Sequence, residues 1–339
     1  MYTPEMTGLA VLFAAVAVAV AVFAATGLLL RQLRRRAIFN HPNERSSHSL
    51  PTPHGGGLAV VPMVIIAWIG IGVMGDAAPA VFVVVALALA LAVVFWIDDL
   101  RGLPVALRLA AQAAAIATAL AAAPVDRAYV SAVLPPAVDL FIAGVLWLWF
   151  VNLFNFMDGI DGLAGSETAS IGIGVAAVVM IAGGAGDLPA LGIALAAAAL
   201  GFLAWNWQPA KVFLGDVGSV PLGFVTGWLL LELAARGQAV AALILPLYYL
   251  ADATLTLARR AARGERVWQA HREHFYQRAV RRGLGHAAVV RHVLAVNVLL
   301  VGLASVAAAG RPWVALAGAV VAVGTLLFLL GRSGSGAAE

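Results

Sequence analysis

The sequence predicts an all-α polytopic integral membrane protein of about eleven transmembrane helices, N-terminus outside and C-terminus cytoplasmic. Three observations carry that expectation. Of 339 residues, 63% are hydrophobic and only 11% charged, with mean hydropathy +0.96. A soluble domain holds about 25% charged residues, so the solvent of this chain is a bilayer. Apolar stretches long enough to cross about 30 Å as helix recur along its whole length, and basic residues crowd onto alternate connections between them.

In order, the stretches cover 7–30, 56–75, 78–97, 104–123, 136–155, 161–183, 187–205, 217–235, 237–258, 286–309 and 311–331. The first has the position of a signal peptide, but no basic residue precedes it and Arg31, Arg34, Arg35 and Arg36 follow it. It is also longer than a signal's apolar region, so a retained helix is expected. The fourth is mostly alanine, and the sixth carries Glu167 and several small polar residues. No repeat of solenoid period is present, nor an inverted pair of broken helices of the kind many transporters show. Residues 1–339 therefore read as a single transmembrane domain. The chain has no cysteine, which excludes disulfides, thiolate nucleophiles and cysteine metal sites.

Orientation follows from the arginines. Odd-numbered connections hold Arg31, Arg34, Arg35, Arg36, Arg45, Arg101, Lys211 and the run from Arg259 to Arg282, whereas even ones hold only Arg127, Arg236 and Arg311. The basic side faces the cytoplasm. The net charge of +4 is mostly this asymmetry and is no nucleic-acid footprint; the surface it makes attracts anionic membrane lipids. Polar motifs share the partition, on cytoplasmic loops 31–55, 98–103, 156–161, 206–216 and 259–285.

Asp98 and Asp99 end the third segment. Adjacent carboxylates repel and are mildly unfavourable at a helix C-terminus, so the pair reads either as a solvated helix end or as a working one. In NLFNFMDGIDGLAG, Asn152, Asn155, Asp158 and Asp161 step by three, which stacks their oxygens on one helix face or, if the helix unwinds at Gly159, crowds them into one concavity. Four oxygen-bearing side chains converge on either view, and such ligands suit Mg²⁺ or Mn²⁺. Carboxylates cost about 2–3 kcal/mol at a membrane helix centre, which favours function over a polar hairpin. Asp216, in FLGDVGS, adds a carboxylate that is either a further ligand or an Asx turn. Phe213 is either a base-stacking ring or interface packing.

HREHFYQR sets His271 and His274 three apart among Arg272 and Arg278. The arginines would repel a dication and welcome a phosphate, so an anion site is the better reading. HGGG at 54–57 has the form of a lipase oxyanion loop, but no G-x-S-x-G elbow accompanies it. Its glycines, Gly56 among them, offer backbone N–H groups to a phosphate or to uracil edges. Asp252, inside the ninth segment, is either a functional buried acid or the partner of Arg259 or a histidine. Hard-cation ligands, a His/Arg anion cluster and glycine loops at one membrane face together describe phosphate chemistry.

DDLRGLPVALRLAAQ, NLFNFMDGIDGLAG, FLGDVGS and HREHFYQR, in this order and on these loops, resemble the polyprenyl-phosphate N-acetylhexosamine-1-phosphate transferases, the MraY- and WecA-like glycosyltransferase family 4. The resemblance runs from about residue 40 to 280. It implies ten or eleven transmembrane helices at a bacterial inner membrane and a Mg²⁺-dependent phosphoglycosyltransferase with a cytoplasmic active site. Such an enzyme moves a HexNAc-1-phosphate from a UDP-N-acetylhexosamine to undecaprenyl (polyprenyl) phosphate and releases UMP. By motif it implies catalytic roles for Asp98, Asp99, Asp158, His271 and His274, and metal ligation by Asn155 and Asp216. It likewise implies UDP-sugar binding by Asp161, Phe213, Arg278 and Gly56, and lipid-phosphate binding by Arg108. A second copy of the chain, as a homodimer, stays open as a partner.

H-x-x-H stands where the MurNAc-pentapeptide branch carries consecutive histidines. With GGGLA, this resembles the branch that initiates O-antigen and related surface glycans, whose donors carry GlcNAc, GalNAc, FucNAc or QuiNAc. Two other classes remain: a secondary transporter using Asp98, Asp158 and Asp252, and an inactive scaffold of the same fold. Confinement of the ionisable groups to one face weighs against the first, and the intact acidic set against the second.

Overall fold

The computed structural model describes residues 8–40, 51–75, 79–124, 127–267, 269 and 271–332. Arg45 lies outside the described residues. The architecture is helical: α1 (Gly8–Arg35), α2 (Gly57–Met74), α3 (Ala80–Arg101), α4 (Val105–Ala121), α5 (Pro136–Phe156), α6 (Leu163–Ile181), α7 (Leu188–Asn206) and α8 (Asp216–Leu233) come first. They are followed by α9 (Ala239–Ile244), α10 (Leu247–Ala262), α11 (Phe275–Arg281), α12 (His286–Ala308) and α13 (Pro312–Arg332). Two short strands, β1 (Phe39–Asn40) and β2 (Thr52–Pro53), pair antiparallel with Phe39 opposite Pro53.

Nine helical stretches among the described residues are long and apolar enough to cross a membrane, where about eleven were expected. Two places account for the difference. The alanine-rich fourth segment forms a helix of 17 residues, a little short of a full span. The ninth segment, expected as one helix over 237–258, is broken into α9 and α10 at Leu245–Pro246. Proline lacks the N–H that would continue the ladder and its ring crowds the preceding turn. Just before α9, Arg236 and Gly237 leave helical dihedrals, Gly237 with φ +81°.

α8 is the central pillar. Every residue from Val217 to Leu230 is buried, and the helix is walled by α3, α5 and α2. α1 lies at the periphery against α7 and buries only Val22, Thr26, Leu30 and Leu33. Its exposed Leu9, Leu12, Phe13 and Val16 form the surface that a helix gives to lipid. α6 packs on α7 and on α12, and α12 on α13. The polar ends of α3, α5, α8 and α10 therefore meet around one loop cluster.

Candidate active site

The site is organised by the start of α8. Its first N–H groups have no intrahelical partner, and Asp99, at the end of α3, supplies both oxygens. Asp216 N–H donates to Asp99 Oδ1 at 3.1 Å and Val217 N–H to Oδ2 at 3.0 Å. Asp98 turns the other way, as consecutive helical residues must. It accepts from Leu103 N–H at 2.5 Å and from Arg108 at 3.3 Å. Each carboxylate of the pair thus has its own donors. Asp216 itself accepts from Asn155 Nδ2 at 3.0 Å and lies 3.9 Å from Arg108. Arg108 therefore spans the acids of α3 and α8.

α5 ends at Phe156, and the chain runs through Met157–Ile160 before Gly162, with φ +81°, starts α6. The unwound alternative is the observed one, but three of the four polar residues join the site, not four. Asn152 faces α4 instead, donating to Gln112 at 2.7 Å and to Leu148 O at 2.8 Å. Asn155 bridges Asp216 and Ser219, at 3.0 Å each. The Asp158 carboxyl is pushed well above the usual carboxylate range, first by desolvation and then by the charges of Asp216, Asp99 and Asp161. Asp161 is buried and accepts from Ala210 N–H at 3.0 Å.

The late loop is tied down by Asp252, which is fully buried. Its carboxylate accepts from Phe275 N–H at 3.0 Å, Tyr276 N–H at 3.2 Å, Tyr248 OH at 3.2 Å and Thr256 OH at 3.3 Å. His274 Nδ1 lies 3.2 Å from the same carboxylate. Of the alternatives for Asp252, the histidine partner is the one observed, and it comes with the capping of α11. Tyr276 carries the loop to the α5 end: its hydroxyl donates to Phe156 O at 2.9 Å and sits where any Cβ on Gly159 would be. His271 stands beside His274, ring centroids 4.8 Å apart. Burial, then the neighbouring His274 and Arg260, lower the His271 pKa to about 4, so it is neutral at ordinary pH. Arg278 lies 6.0 Å over the Phe275 ring.

The glycine loop corrects an expectation. Gly56 N–H is already spent on Phe213 O and Gly57 N–H on Leu214 O, both at 2.8 Å, so neither offers itself to a phosphate or a base. Phe213 N–H in turn donates to Pro53 O at 2.8 Å. The loop is a backbone brace for FLGD: Gly57 and Gly218 touch so closely that a Cβ on either would enter the other's backbone.

Sequence reasoning missed four contributors. Ser219 shares the Asn155 amide. His54 lies beside the Asp99 backbone, and burial lowers its pKa. Asn206 accepts from Gly162 N–H at 2.9 Å. His286, beyond the 40–280 span of the resemblance, reaches Asp161 at 3.2 Å. The histidines carried a signal, as polar residues at the ends of apolar segments on the basic side.

Among the described residues no three His, Cys, Asp or Glu side chains gather about one point as a metal cage. Asn155 and Asp216, joined by a hydrogen bond of 3.0 Å, nonetheless carry amide and carboxylate oxygens of the hard kind that Mg²⁺ takes beside water and substrate phosphates.

Residues 81–234 match the glycosyl transferase family 4 model. The chain is 29% identical to the "decaprenyl-phosphate N-acetylglucosaminephosphotransferase" of Mycobacterium tuberculosis, over 93% of this chain and 88% of that one. It is 34% identical to the "phospho-N-acetylmuramoyl-pentapeptide-transferase" of a Synechococcus strain, over 57% and 58%. To the "probable undecaprenyl-phosphate N-acetylglucosaminyl 1-phosphate transferase" of Bacillus subtilis it is 29% identical over 51% of this chain, a match spanning about half (49%) of that relative. Residues 81–234 thus resemble glycosyl transferase family 4, and the relatives that the chain matches are named as undecaprenyl- and decaprenyl-phosphate N-acetylglucosamine-1-phosphate transferases and phospho-N-acetylmuramoyl-pentapeptide-transferases.

Proposed function

We propose that this membrane protein transfers a HexNAc-1-phosphate from a UDP-N-acetylhexosamine to undecaprenyl phosphate, or a related polyprenyl phosphate, at the cytoplasmic face of a bacterial inner membrane, releasing UMP. The reading includes an outer N-terminus, a cytoplasmic C-terminus and a place at the start of O-antigen-like surface glycan synthesis. One observation carries it. The acids of α3 and α8, the Asn155 amide and Arg108 meet at the ends of membrane helices, where one substrate arrives from water and the other from lipid.

Asn155 and Asp216 are the residues to hold Mg²⁺ (or Mn²⁺), which when bound supplies charge neutralisation of a pyrophosphate. Arg108 offers a guanidinium to a lipid phosphate. Asp99 keeps the α8 N-terminus, and with it Asp216, in register. The remaining acids, Asp98 and Asp158, stand ready to orient the acceptor or take a proton from it. His271, His274 and Arg278 line the loop expected at the sugar and phosphates, and Asp161 and Phe213 the place of the base.

Purified protein in detergent, given undecaprenyl phosphate, Mg²⁺ and a panel of UDP-N-acetylhexosamines, tests the reading. Metal-dependent UMP release with one donor, abolished by EDTA, is expected and names the sugar. Folded protein that releases UMP from no donor contradicts it.

A further inference from the structure

We propose that His286 is a positioning residue for the donor's base: it holds the Asp161 carboxylate in the one orientation that can accept from a uracil, so the start of α12 is a wall of the nucleotide site. The inference rests on the UDP-sugar reading above, and it brings in a segment that lies beyond the 81–234 family domain.

Asp161 sits in the loop between α5 and α6, with α12 beginning 125 residues later. His286 Nδ1 lies 3.2 Å from Asp161 Oδ1, with side-chain exposures of 11% and 10%. The other oxygen, Oδ2, accepts from Ala210 N–H at 3.0 Å. One carboxylate oxygen is therefore fixed by the 206–213 segment and the other by α12. Both elements are themselves joined, because Gln208 Oε1 accepts from Ala287 N–H at 2.5 Å. Asn206 completes the frame, accepting from Gly162 N–H at 2.9 Å and donating to Val212 O at 3.0 Å.

The tautomer follows from distance. Nδ1 is also 3.4 Å from the Asp161 N–H, but a single ring nitrogen is either donor or acceptor in the neutral imidazole. The shorter and charge-assisted contact is the one to the carboxylate, so Nδ1 carries the proton and donates. A carboxylate has about four acceptor positions; the described residues use two, and the remaining lone pairs have a fixed direction. Uracil presents an N–H donor flanked by two carbonyls. An acceptor already held in place binds it without the cost of freezing a rotor, which is the ordinary gain from preorganisation. An aspartate used only to close the loop would be as well served by the Ala210 bond alone.

The test separates this role from mere packing. UMP affinity is measured by calorimetry on the purified, detergent-solubilised full chain, and UMP release is followed with the active donor. His286→Leu is expected to weaken UMP binding and raise the donor KM about tenfold, with kcat within about twofold. His286→Asn places an amide N–H where Nδ1–H stood and is expected to recover most of the loss; thermal unfolding of each variant confirms that it is folded. Unchanged UMP affinity in folded His286→Leu, a fall in kcat without a change in KM, or no recovery in His286→Asn overturns the proposal. Because UMP affinity is read without turnover, a wild type that binds UMP but uses no donor sinks the transferase reading while still testing His286. A wild type that binds no UMP sinks both.

Discussion

His274 Nδ1 lies 3.2 Å from the carboxylate of Asp252, twenty-two residues earlier and buried in α10. The same carboxylate caps α11 through Phe275 and Tyr276. One side chain therefore fixes both the ring orientation of the first α11-flanking histidine and the path of the loop that follows.

Removing it should be costly in a specific way. Asp252→Ala leaves two backbone N–H groups and an imidazole without their acceptor, each worth about 1–3 kcal/mol. UMP release is expected to fall about a hundredfold or more, with a lower unfolding temperature. Asp252→Asn, which keeps an acceptor oxygen, should fall between. Activity of Asp252→Ala within about threefold of wild type would contradict the role given to Asp252.

Asp216→Ala and Asp99→Ala should each abolish turnover while the protein still inserts and folds. The two differ in why: Asp216 is the proposed metal ligand, whereas Asp99 supplies an N-terminal cap worth about 0.5–2 kcal/mol, so its loss lowers stability as well. Thermal unfolding of both variants, beside UMP release, distinguishes them. Substantial activity in both would remove the acidic centre from the mechanism.

The low pKa of His271 has a pH consequence with a definite sign. The folded state holds it neutral down to about 4, against an ordinary 6.5. The unfolded chain takes up its proton first as pH falls, so stability is full above 6.5 and declines between 6.5 and about 4. His271→Gln removes the titration, and its unfolding temperature should fall less steeply over that interval. Parallel curves for the two proteins would count against a buried neutral His271.

Two packing predictions lie outside the acidic centre. Gly159→Ala drives a methyl into the Tyr276 hydroxyl and should cost about 1–3 kcal/mol and much of the activity, read from unfolding and UMP release; Tyr276→Phe should relieve part of it. Within the membrane, Asn297 donates to Glu167 Oε2 at 2.7 Å, while Glu167 Oε1 and Asn297 Oδ1 have no partner among the described residues. An amide at position 167 supplies the missing donor. Glu167→Gln should therefore unfold at or above the wild-type temperature, and Glu167→Ala should lose about 1–2 kcal/mol.

Much of the site was legible because membrane economics concentrates polar residues where they are used. Asp98, Asp99, Asn155, Asp158 and Asp216 stood out against apolar neighbours, and the structure gathers them around one helix start. The placement of Asn152 was not legible, since step-of-three spacing says nothing about which neighbour a helix face meets; Gln112 of α4 decided it. The same is true of Gly56, whose N–H was claimed by a strand-like partner 157 residues away in sequence, Phe213. Pro246 did signal the break in the ninth segment, but hydropathy averages over it and membrane helices tolerate proline. The Asp161–His286 and Asp252–His274 pairs join residues 125 and 22 apart, and no local period records such contacts.

The most direct measurement counts both products at once. Wild-type protein and Asp216→Ala are incubated with undecaprenyl phosphate, Mg²⁺ and the panel of UDP-N-acetylhexosamines, and UMP and lipid-linked sugar pyrophosphate are quantified from the same reaction. Equal amounts of the two products from wild type, and neither from Asp216→Ala, is the predicted result. UMP without lipid product, or equal activity in the variant, would contradict transfer to a polyprenyl phosphate at this site.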